Sequence, residues 1–123
     1  MGTNSDSLLR ELRAWGLTLP GAHSKSPWPD HDDLAVKDKT FAYLPKAGGD
    51  FTLSVKLPYT GAAVLDLPYA APTGYGLGKS GWVSLSPSDE EIPPLDQLKE
   101  WVEESYRAQA PRKLVKELDA HVE

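Results

Sequence analysis

A glycine-rich stretch with a lysine and a serine is the segment whose residue types most suggest chemistry. Residues 73–85 have the sequence TGYGLGKSGWVSL, and Gly78, Lys79 and Ser80 match the end of a Walker A loop, which binds nucleotide phosphates. The first-glycine position of that motif holds Thr73 instead. The residues after the loop predict a β-strand, not the helix whose N-terminus would hold the phosphates. We therefore interpret the segment as a flexible entry into a strand.

Residues that could perform catalysis or bind a metal are few and scattered. His31 lies within a DHDD run at 30–33, but adjacent residues on a turn rarely converge on one ion. The chain has no cysteine and no Gly-x-Ser-x-Gly nucleophile motif. We therefore expect a protein without enzymatic activity, metal or cofactor. A metal or small-ligand site formed by the DHDD run and the glycine-rich loop is the least favoured alternative.

Basic and aromatic side chains around the glycine-rich loop are suited to nucleic acid. Lysines contact phosphates, and aromatic rings on a sheet stack against bases. The residues predicted for such a site lie on strands, turns and the loop: Lys37, Lys39, Lys56, Lys79, Ser80 and Trp82. We expect Lys79 and Ser80 to contact phosphate, and Trp82 to be a structural or stacking neighbour. The alternative is that the lysines only aid solubility and that Trp82 lies in the core.

The composition is that of one globular domain, which we place at 1–123. The chain has 13 lysines and arginines against 18 aspartates and glutamates, so its formal net charge is -5. Binding to DNA draws on cationic side chains, and this charge argues mildly against it unless those side chains share one face. Apolar runs are too short to cross a bilayer and no signal peptide is evident, so we expect no membrane partner. The absence of cysteine favours a cytoplasmic location.

Hydrophobic periodicity predicts the elements that must position these residues. The predicted elements are a helix ended by a left-handed Gly16, a loop at 19–33, strands at 34–37 and 40–44, a strand at 51–57, a helix at 60–66, a strand at 81–85, and two helices separated at Pro111. Asp38 and Lys39 are predicted to form the turn of a hairpin. Pro94 suits the first turn of the penultimate helix.

Strict alternation in two of these strands predicts one dry face and one wet face. Leu53 and Val55 alternate with Ser54 and Lys56, and Trp82 and Ser84 face opposite to Val83 and Leu85. Strands of this kind belong to antiparallel sheets that are covered on one side. The order of elements therefore predicts the α+β class, as a two-layer domain in which helices cover one antiparallel sheet.

Several short sequence pieces occur in a recognisable order. They are LPG at 19–21, SPWPDHDDLAVKDKTFAYL at 26–44, FTLSVKL at 51–57, GYGLGKSGWVSL at 74–85 and ESYRAQAPRKL at 104–114. In this order the chain resembles the MmcQ/YjbR family of small bacterial proteins, most specifically at Pro27-Trp28, Trp82 and Ser105-Tyr106. The resemblance implies a two-layer α+β domain similar to frataxin-like and secretion-chaperone-like folds. It also implies DNA binding, which is commonly ascribed to the family, and no enzymatic activity.

One segment departs from the family pattern. Members often carry a basic, histidine-containing run between the positions of Tyr75 and Trp82, where this chain has Lys79 as its one cation. The positive charge available at that loop is correspondingly smaller. Our first hypothesis is a binding module of this family with DNA as its partner. The alternative is a protein-interaction adaptor that binds a peptide, or a second copy of the chain, through the open face of the sheet or an edge strand.

Overall fold

One antiparallel sheet is the central element of the protein. The structure is a computed structural model that describes residues 2–25, 32–45, 51–74, 77–88 and 90–121. Its strands, numbered along the chain, are β1 Ala22–Lys25, β2 Asp33–Val36, β3 Lys39–Tyr43, β4 Leu53–Lys56, β5 Ala70–Pro72 and β6 Trp82–Leu85. Across the sheet they follow the order β1-β2-β3-β4-β6-β5, and each neighbouring pair is antiparallel.

Helices pack on one face of this sheet, which confirms the predicted α+β class. The helices of the described chain are α1 Gly2–Gly16, α2 Gly61–Val64, α3 Leu95–Gln109 and α4 Arg112–His121, with a 3-10 turn at Leu77–Ser80. α3 contacts α1, β3 and β4. Apolar side chains from both layers form one buried cluster that includes Leu12, Leu34, Val55, Leu98 and Val102. Burial of this apolar surface provides the main driving force for folding.

The alternation predicted for the central strands is confirmed. Leu53 and Val55 are buried in the cluster, whereas Ser54 and Lys56 between them are only half-buried. Side chains that are direct cross-strand partners share a face of the sheet. We call the helix-covered side the inner face and the opposite side the outer face.

A β-bulge in β3 interrupts this alternation. Leu34 pairs with Ala42, but Ala35 pairs with Thr40, so Phe41 is an extra residue that has no partner on β2. A bulge of this kind lets two consecutive side chains point to the same side. Phe41 and Ala42 are accordingly both fully buried in the core cluster.

The hydroxyl of Ser105 on α3 completes the sheet where the bulge disturbs it. β3 and β4 pair at Ala42–Val55 and Tyr43–Ser54, and Phe41 and Lys56 would be the next pair in that register. Instead, the Lys56 N–H donates to Ser105 Oγ over 2.8 Å, and Ser105 Oγ–H donates to the Phe41 carbonyl over 2.5 Å. One helical side chain therefore satisfies a donor on one strand and an acceptor on the other.

Tyr106, the neighbour of Ser105, fixes the other end of the same contact. Its ring meets the Phe41 ring edge-on, with centroids 5.3 Å apart, and its hydroxyl donates to the Pro20 carbonyl over 2.5 Å. Gln109, one turn further along α3, donates to the Thr40 carbonyl over 3.0 Å. The Ser105-Tyr106 pair that carried the family resemblance therefore has a structural role.

Two details of the predicted elements are wrong. The hairpin turn lies at Lys37-Asp38, one residue earlier than predicted, and Lys37 has a φ of 55°. Its left-handed backbone is accompanied by a hydrogen bond of 3.0 Å between His23 Nε2 and the Lys37 carbonyl. Gly16 is not left-handed. It lies so close to the sheet that an added Cβ would be 2.5 Å from Leu34 Cδ1.

The two strands at the sheet edges were not predicted. β1 lies within the segment predicted to be a loop, and β5 precedes the glycine-rich segment, where no strand was expected. Both are short and largely exposed, so they carry no hydrophobic alternation. Trp28 of the family motif, His31 of the DHDD run and Tyr75 of the glycine-rich segment lie outside the described residues.

Replacement of Ser105 should destabilise the protein far more than its size suggests. We expect Ser105→Ala to lower the free energy of unfolding by about 2 kcal/mol, because the Lys56 N–H and the buried Phe41 carbonyl both lose their partner. Urea denaturation measures this difference. Ser86→Ala is the matched control, since Ser86 is exposed and should change stability by less than about 0.5 kcal/mol. Equal stabilities of the two variants would contradict the bridging role.

Tyr106 should make the protein sensitive to alkali. Burial raises the pKa of the Tyr106 phenol above its ordinary value of 10.0; Glu117 acts in the same direction and Arg107 opposes it. Because the folded state holds this proton more tightly, the contribution is fully present below about pH 10 and is lost as pH rises through the folded pKa. We expect Tyr106→Phe to lose stability less steeply above pH 10 than the parent protein in urea titrations.

The control for this experiment is Tyr59→Phe, because the Tyr59 side chain is 88% exposed. It should keep the parent dependence of stability on pH. A Tyr106→Phe variant with the same alkaline slope as the parent would show that the buried phenol is not the titrating group.

Candidate nucleic-acid interface

The outer face of the sheet carries polar and basic side chains. Leu34 and Val36 belong to the core cluster, so the alternating residues of β2 face outward. Cross-strand pairing then assigns the remaining members of the outer face: His23, Lys25, Asp33, Ala35, Thr40, Tyr43, Ser54, Lys56, Ala71, Trp82 and Ser84. Exposure changes between neighbouring strands of this face, since His23 and Lys25 on β1 are exposed whereas their partners on β2, Ala35 and Asp33, are fully buried.

Charge on the described strands is almost entirely positive. His23, Lys25, Lys39 and Lys56 are their basic residues, and Asp33 is their one carboxylate. Asp33 is fully buried, and its Oδ1 accepts a hydrogen bond of 2.8 Å from the Leu44 N–H. The exposed and half-exposed charges of the sheet are therefore cationic, although the chain as a whole is anionic.

The carboxylates lie mainly on helices and turns of the other layer. α3 alone carries four, namely Asp96, Glu100, Glu103 and Glu104, and α4 adds Glu117 and Asp119. Two of them form ion pairs with Arg107, Asp119 at 2.8 Å and Glu103 at 3.2 Å. Both carboxylates raise the pKa of the guanidinium above its ordinary value, and burial opposes them.

Two of the predicted site residues are direct neighbours on the outer face. Lys56 and Trp82 are cross-strand partners at the end of β4 and the start of β6. Lys79 and Ser80 are exposed on the 3-10 turn that leads into β6, and this turn also contacts β5. These four residues therefore lie at one end of the sheet.

The other two predicted residues lie on a different part of that end. Lys37 is exposed in the turn between β2 and β3. Lys39 is the cross-strand partner of Val36, whose side chain is in the core cluster, so Lys39 lies on the inner side of the sheet. Antiparallel pairing places all six residues at the same end of the sheet, but the sheet separates Lys39 from Lys56 and Trp82.

Trp82 is a packing residue of the outer face. Its side chain is 5% exposed, and its ring lies 5.3 Å from the ring of Tyr43 at an angle of 57°. Base stacking requires an accessible ring face. Of the two roles that the sequence left open for Trp82, the burial favours the structural one.

A row of hydrogen-bonded hydroxyls next to Lys56 links β4, β6 and the residue that follows β5. Ser54 Oγ and Ser84 Oγ are 2.8 Å apart, and Ser84 Oγ lies 2.9 Å from Thr73 Oγ1. We call these three residues the hydroxyl row. Sequence alternation placed Ser54 and Ser84 on the polar side of their strands, but only the register of β4 against β6 and of β5 against β6 brings the three together.

The glycine-rich segment connects two antiparallel strands. The chain leaves β5, forms the 3-10 turn and enters β6 at Gly81, whose φ is 91° and whose carbonyl accepts a bond of 2.9 Å from the Leu57 N–H. The turn is followed by a strand, so no helix begins where a Walker A loop needs one. The interpretation of this segment as strand entry is confirmed.

A groove of about 260 Å³ lies elsewhere, on the outside of the helical layer, and Trp15, Tyr59, Lys99 and Glu100 are among its lining residues. It is smaller than typical small-molecule sites, which begin at about 300 Å³. One lining carboxylate, that of Glu104, already accepts hydrogen bonds from the N–H groups of Tyr59 and Thr60 and from the Thr60 hydroxyl. The groove takes no part in the outer face.

Within the described ranges, no three histidine, aspartate or glutamate residues are grouped so that they could hold an ion. Part of the DHDD run, including His31, lies outside those ranges. None of the described helices is both long and apolar enough to cross a membrane.

Comparisons with known proteins place this fold among related structures. A family model described as YjbR matches residues 17–108, well over half of the chain. A crystal structure of a Deinococcus radiodurans protein with a DUF419 domain aligns with a TM-score of 0.65 and 25% identity, covering 80% of this chain and 75% of the other.

A second solved structure, of a protein from Pseudomonas syringae, aligns with a TM-score of 0.61 and 15% identity. It covers 81% of this chain and 97% of the other, and at this identity it supports the fold alone. No curated protein matches the chain.

Replacement of Trp82 tests its assignment as a packing residue. We expect Trp82→Ala to lower the free energy of unfolding by about 3 kcal/mol or more, because a large buried ring is lost from its contact with Tyr43. Lys79→Ala is the control in the same region and should stay within about 0.5 kcal/mol of the parent, since its side chain is exposed. Chemical denaturation measures the free energy of unfolding of each variant. Similar values for the two variants would contradict the packing role and leave Trp82 as a possible contact residue.

Proposed function

The chain belongs to the YjbR family, and from this premise we propose that it is a non-enzymatic protein that binds DNA through the outer face of its sheet. The lack of exposed carboxylates on the described strands is the observation that supports this most directly. Lys25 and Lys56 on the strands have no exposed carboxylate among them, whereas on α3 and α4 six carboxylates are mixed with five lysines and arginines. Cationic side chains on one face release condensed counterions from DNA even when the net charge of the protein is negative.

The groups available on this face suit the DNA backbone. Lysine ammonium groups and serine or threonine hydroxyls are common partners of phosphate oxygens, and such contacts carry no sequence information. Lys56, Ser54 and the exposed Lys79 supply groups of this kind. Among the described aromatic residues of this face, Trp82 is buried and packs on Tyr43, which leaves little ring surface for base stacking. We therefore propose binding of double-stranded DNA with little sequence preference.

The function is proposed without catalysis, metal or cofactor. The hydroxyls described on the outer face are hydrogen-bonded to one another and not to a neighbouring base, which would be needed to activate a nucleophile for covalent catalysis. A DNA partner also fits the cytoplasmic location expected from a chain without cysteine.

A protein-interaction adaptor is the second candidate, favoured by one feature. β1 is the terminal strand of the described sheet, and three of its four residues are exposed. Edge strands of this kind can accept an extended peptide through main-chain hydrogen bonds. The charge of Lys25 would favour an acidic peptide. Absence of DNA binding at low salt would leave this candidate as the better one.

DNA binding should depend on salt and on the lysines of the outer face. We expect fluorescence anisotropy with a random duplex to show a Kd of about 100 µM or tighter at low salt, as for other non-specific binders. The plot of log K against log salt should lose about 1 unit of slope for each phosphate contact removed. The triple variant Lys25→Ala, Lys56→Ala, Lys79→Ala should therefore bind more weakly, with a slope that is shallower by about 3.

A matched control separates a specific face from general charge. Lys113→Ala, Lys116→Ala and Lys99→Ala together remove the same number of charges from α3 and α4. This triple variant should retain most of the parent affinity. Equal losses in the two triple variants would indicate that only total charge matters, and no binding at low salt would reject DNA as the partner.

A further inference from the structure

We propose that the hydroxyl row, together with Lys56, is a site for one phosphate group. This inference rests on the proposed function, because it names the group of the DNA backbone that the outer face receives. The row consists of Thr73, Ser84 and Ser54, joined by hydrogen bonds of 2.9 and 2.8 Å. Ser54 and Ser84 are held by the pairing of β4 with β6. Thr73 directly follows β5, and its N–H donates to the Trp82 carbonyl over 3.1 Å.

Proton counting leaves one donor of the row available for a ligand. Three hydroxyls have three protons, and the two bonds inside the row use two of them. When the row donates from Thr73 to Ser84 to Ser54, the remaining proton is that of Ser54. When it donates in the reverse sense, the remaining proton is that of Thr73. When both ends donate to Ser84, the remaining proton is that of Ser84. An anion can therefore select the direction of the whole row.

Lys56 makes the Ser54 end the favourable one for an anion. Ser54 and Lys56 are two residues apart on the outer face of β4, a separation of about 7 Å along a strand. The flexible stem of lysine lets its ammonium group reach an oxygen that Ser54 also contacts. Each hydroxyl that donates toward an anion polarises the next one, so the row strengthens the terminal hydrogen bond.

The surroundings of the row favour an acceptor-only ligand. Ser54, Ser84, Thr73 and Lys56 are all half-buried, which reduces competition by water but leaves access from solvent. The one carboxylate of the described strands, Asp33, is fully buried and hydrogen-bonded to the Leu44 N–H. Phosphate oxygens of a diester or of free phosphate provide the same acceptor chemistry, and the experiment distinguishes these two sources.

Inorganic phosphate is the first probe, monitored through the amide resonances of the full chain by NMR. We expect saturable shifts centred on β4 and β6 that chloride at equal ionic strength does not produce. Ser54→Ala and Ser84→Ala should each weaken the phosphate affinity about tenfold, as expected for loss of a hydrogen bond to a charged group. Ser86→Ala is the matched control, because Ser86 is exposed and lies two residues beyond Ser84 on the same chain segment.

Thr73→Val provides a readout that a merely structural role would not produce. Thr73 is at the far end of the row from Lys56. Its replacement should still weaken phosphate binding, because its hydrogen bond acts on Ser84 and through Ser84 on Ser54. Its effect should disappear when Ser84 is already alanine, because the row is then interrupted. Independent effects of Thr73→Val and Ser84→Ala would overturn the relay. Urea denaturation of each variant identifies those that fold and can be compared.

DNA is the second probe, and its outcomes separate this site from the proposed function. Weaker binding of both DNA and phosphate by Ser54→Ala and Ser84→Ala, with Ser86→Ala unchanged, supports the site. Unchanged DNA binding in these variants overturns the site and leaves the proposed function intact. Phosphate shifts at the row without DNA binding reject DNA and retain a site for free phosphate. No phosphate shift at the row overturns this inference.

Discussion

A hydroxyl inserted into the sheet is the constraint on which the arrangement of this domain depends. β3 contains one residue more than β2 can pair, and the backbones of β3 and β4 are joined at that level through Ser105. Because Ser105 belongs to α3, the contact that completes the sheet also fixes the position of the helix. Tyr106 extends the same contact to Phe41 and to the Pro20 carbonyl. Buried polar groups are costly when unpaired, so this arrangement tolerates few alternatives.

The bulge that Ser105 stabilises also decides which residues reach the outer face. In an uninterrupted strand Phe41 and Ala42 would point to opposite sides, but here both are buried in the core. Thr40 and Tyr43 then lie outward, opposite Ala35 and Ser54. The ring of Tyr43 packs on Trp82, which leaves the hydroxyls and Lys56 as the polar groups of that region. Core packing on one side therefore determines the composition of the other.

Net charge is a poor guide to the charge of one surface of this domain. The chain has a formal charge of -5, yet six carboxylates lie on α3 and α4 among five lysines and arginines, and the exposed charges of the described strands are lysines. Arg107 is neutralised within the helical layer by Glu103 and Asp119. Electrostatic attraction depends on local potential near a surface, because charges beyond about 10 Å are screened by salt. A basic sheet face on an acidic protein is therefore physically consistent.

The sequence by itself determined the α+β class, the alternation of β4 and β6, the helix after Pro94 and the family. These properties follow from local periodicity and from short motifs, and each is encoded within a few neighbouring residues. The short edge strands were missed because exposed residues such as His23 and Lys25 carry no hydrophobic signal. The position of the hairpin turn was wrong by one residue because the bulge at Phe41 and the left-handed Lys37 follow from packing.

Only the tertiary structure decided which residues meet. The sequence grouped Lys39 with Lys56, but strand register puts them on opposite sides of the sheet. No feature of the sequence links Thr73 to Ser54, because their connection through Ser84 depends on the pairing of β6 with both β4 and β5. Register moves a side chain from one face to the other with each residue of shift, and it is set by long-range packing. That is the physical reason why the elements could be predicted here and the site could not.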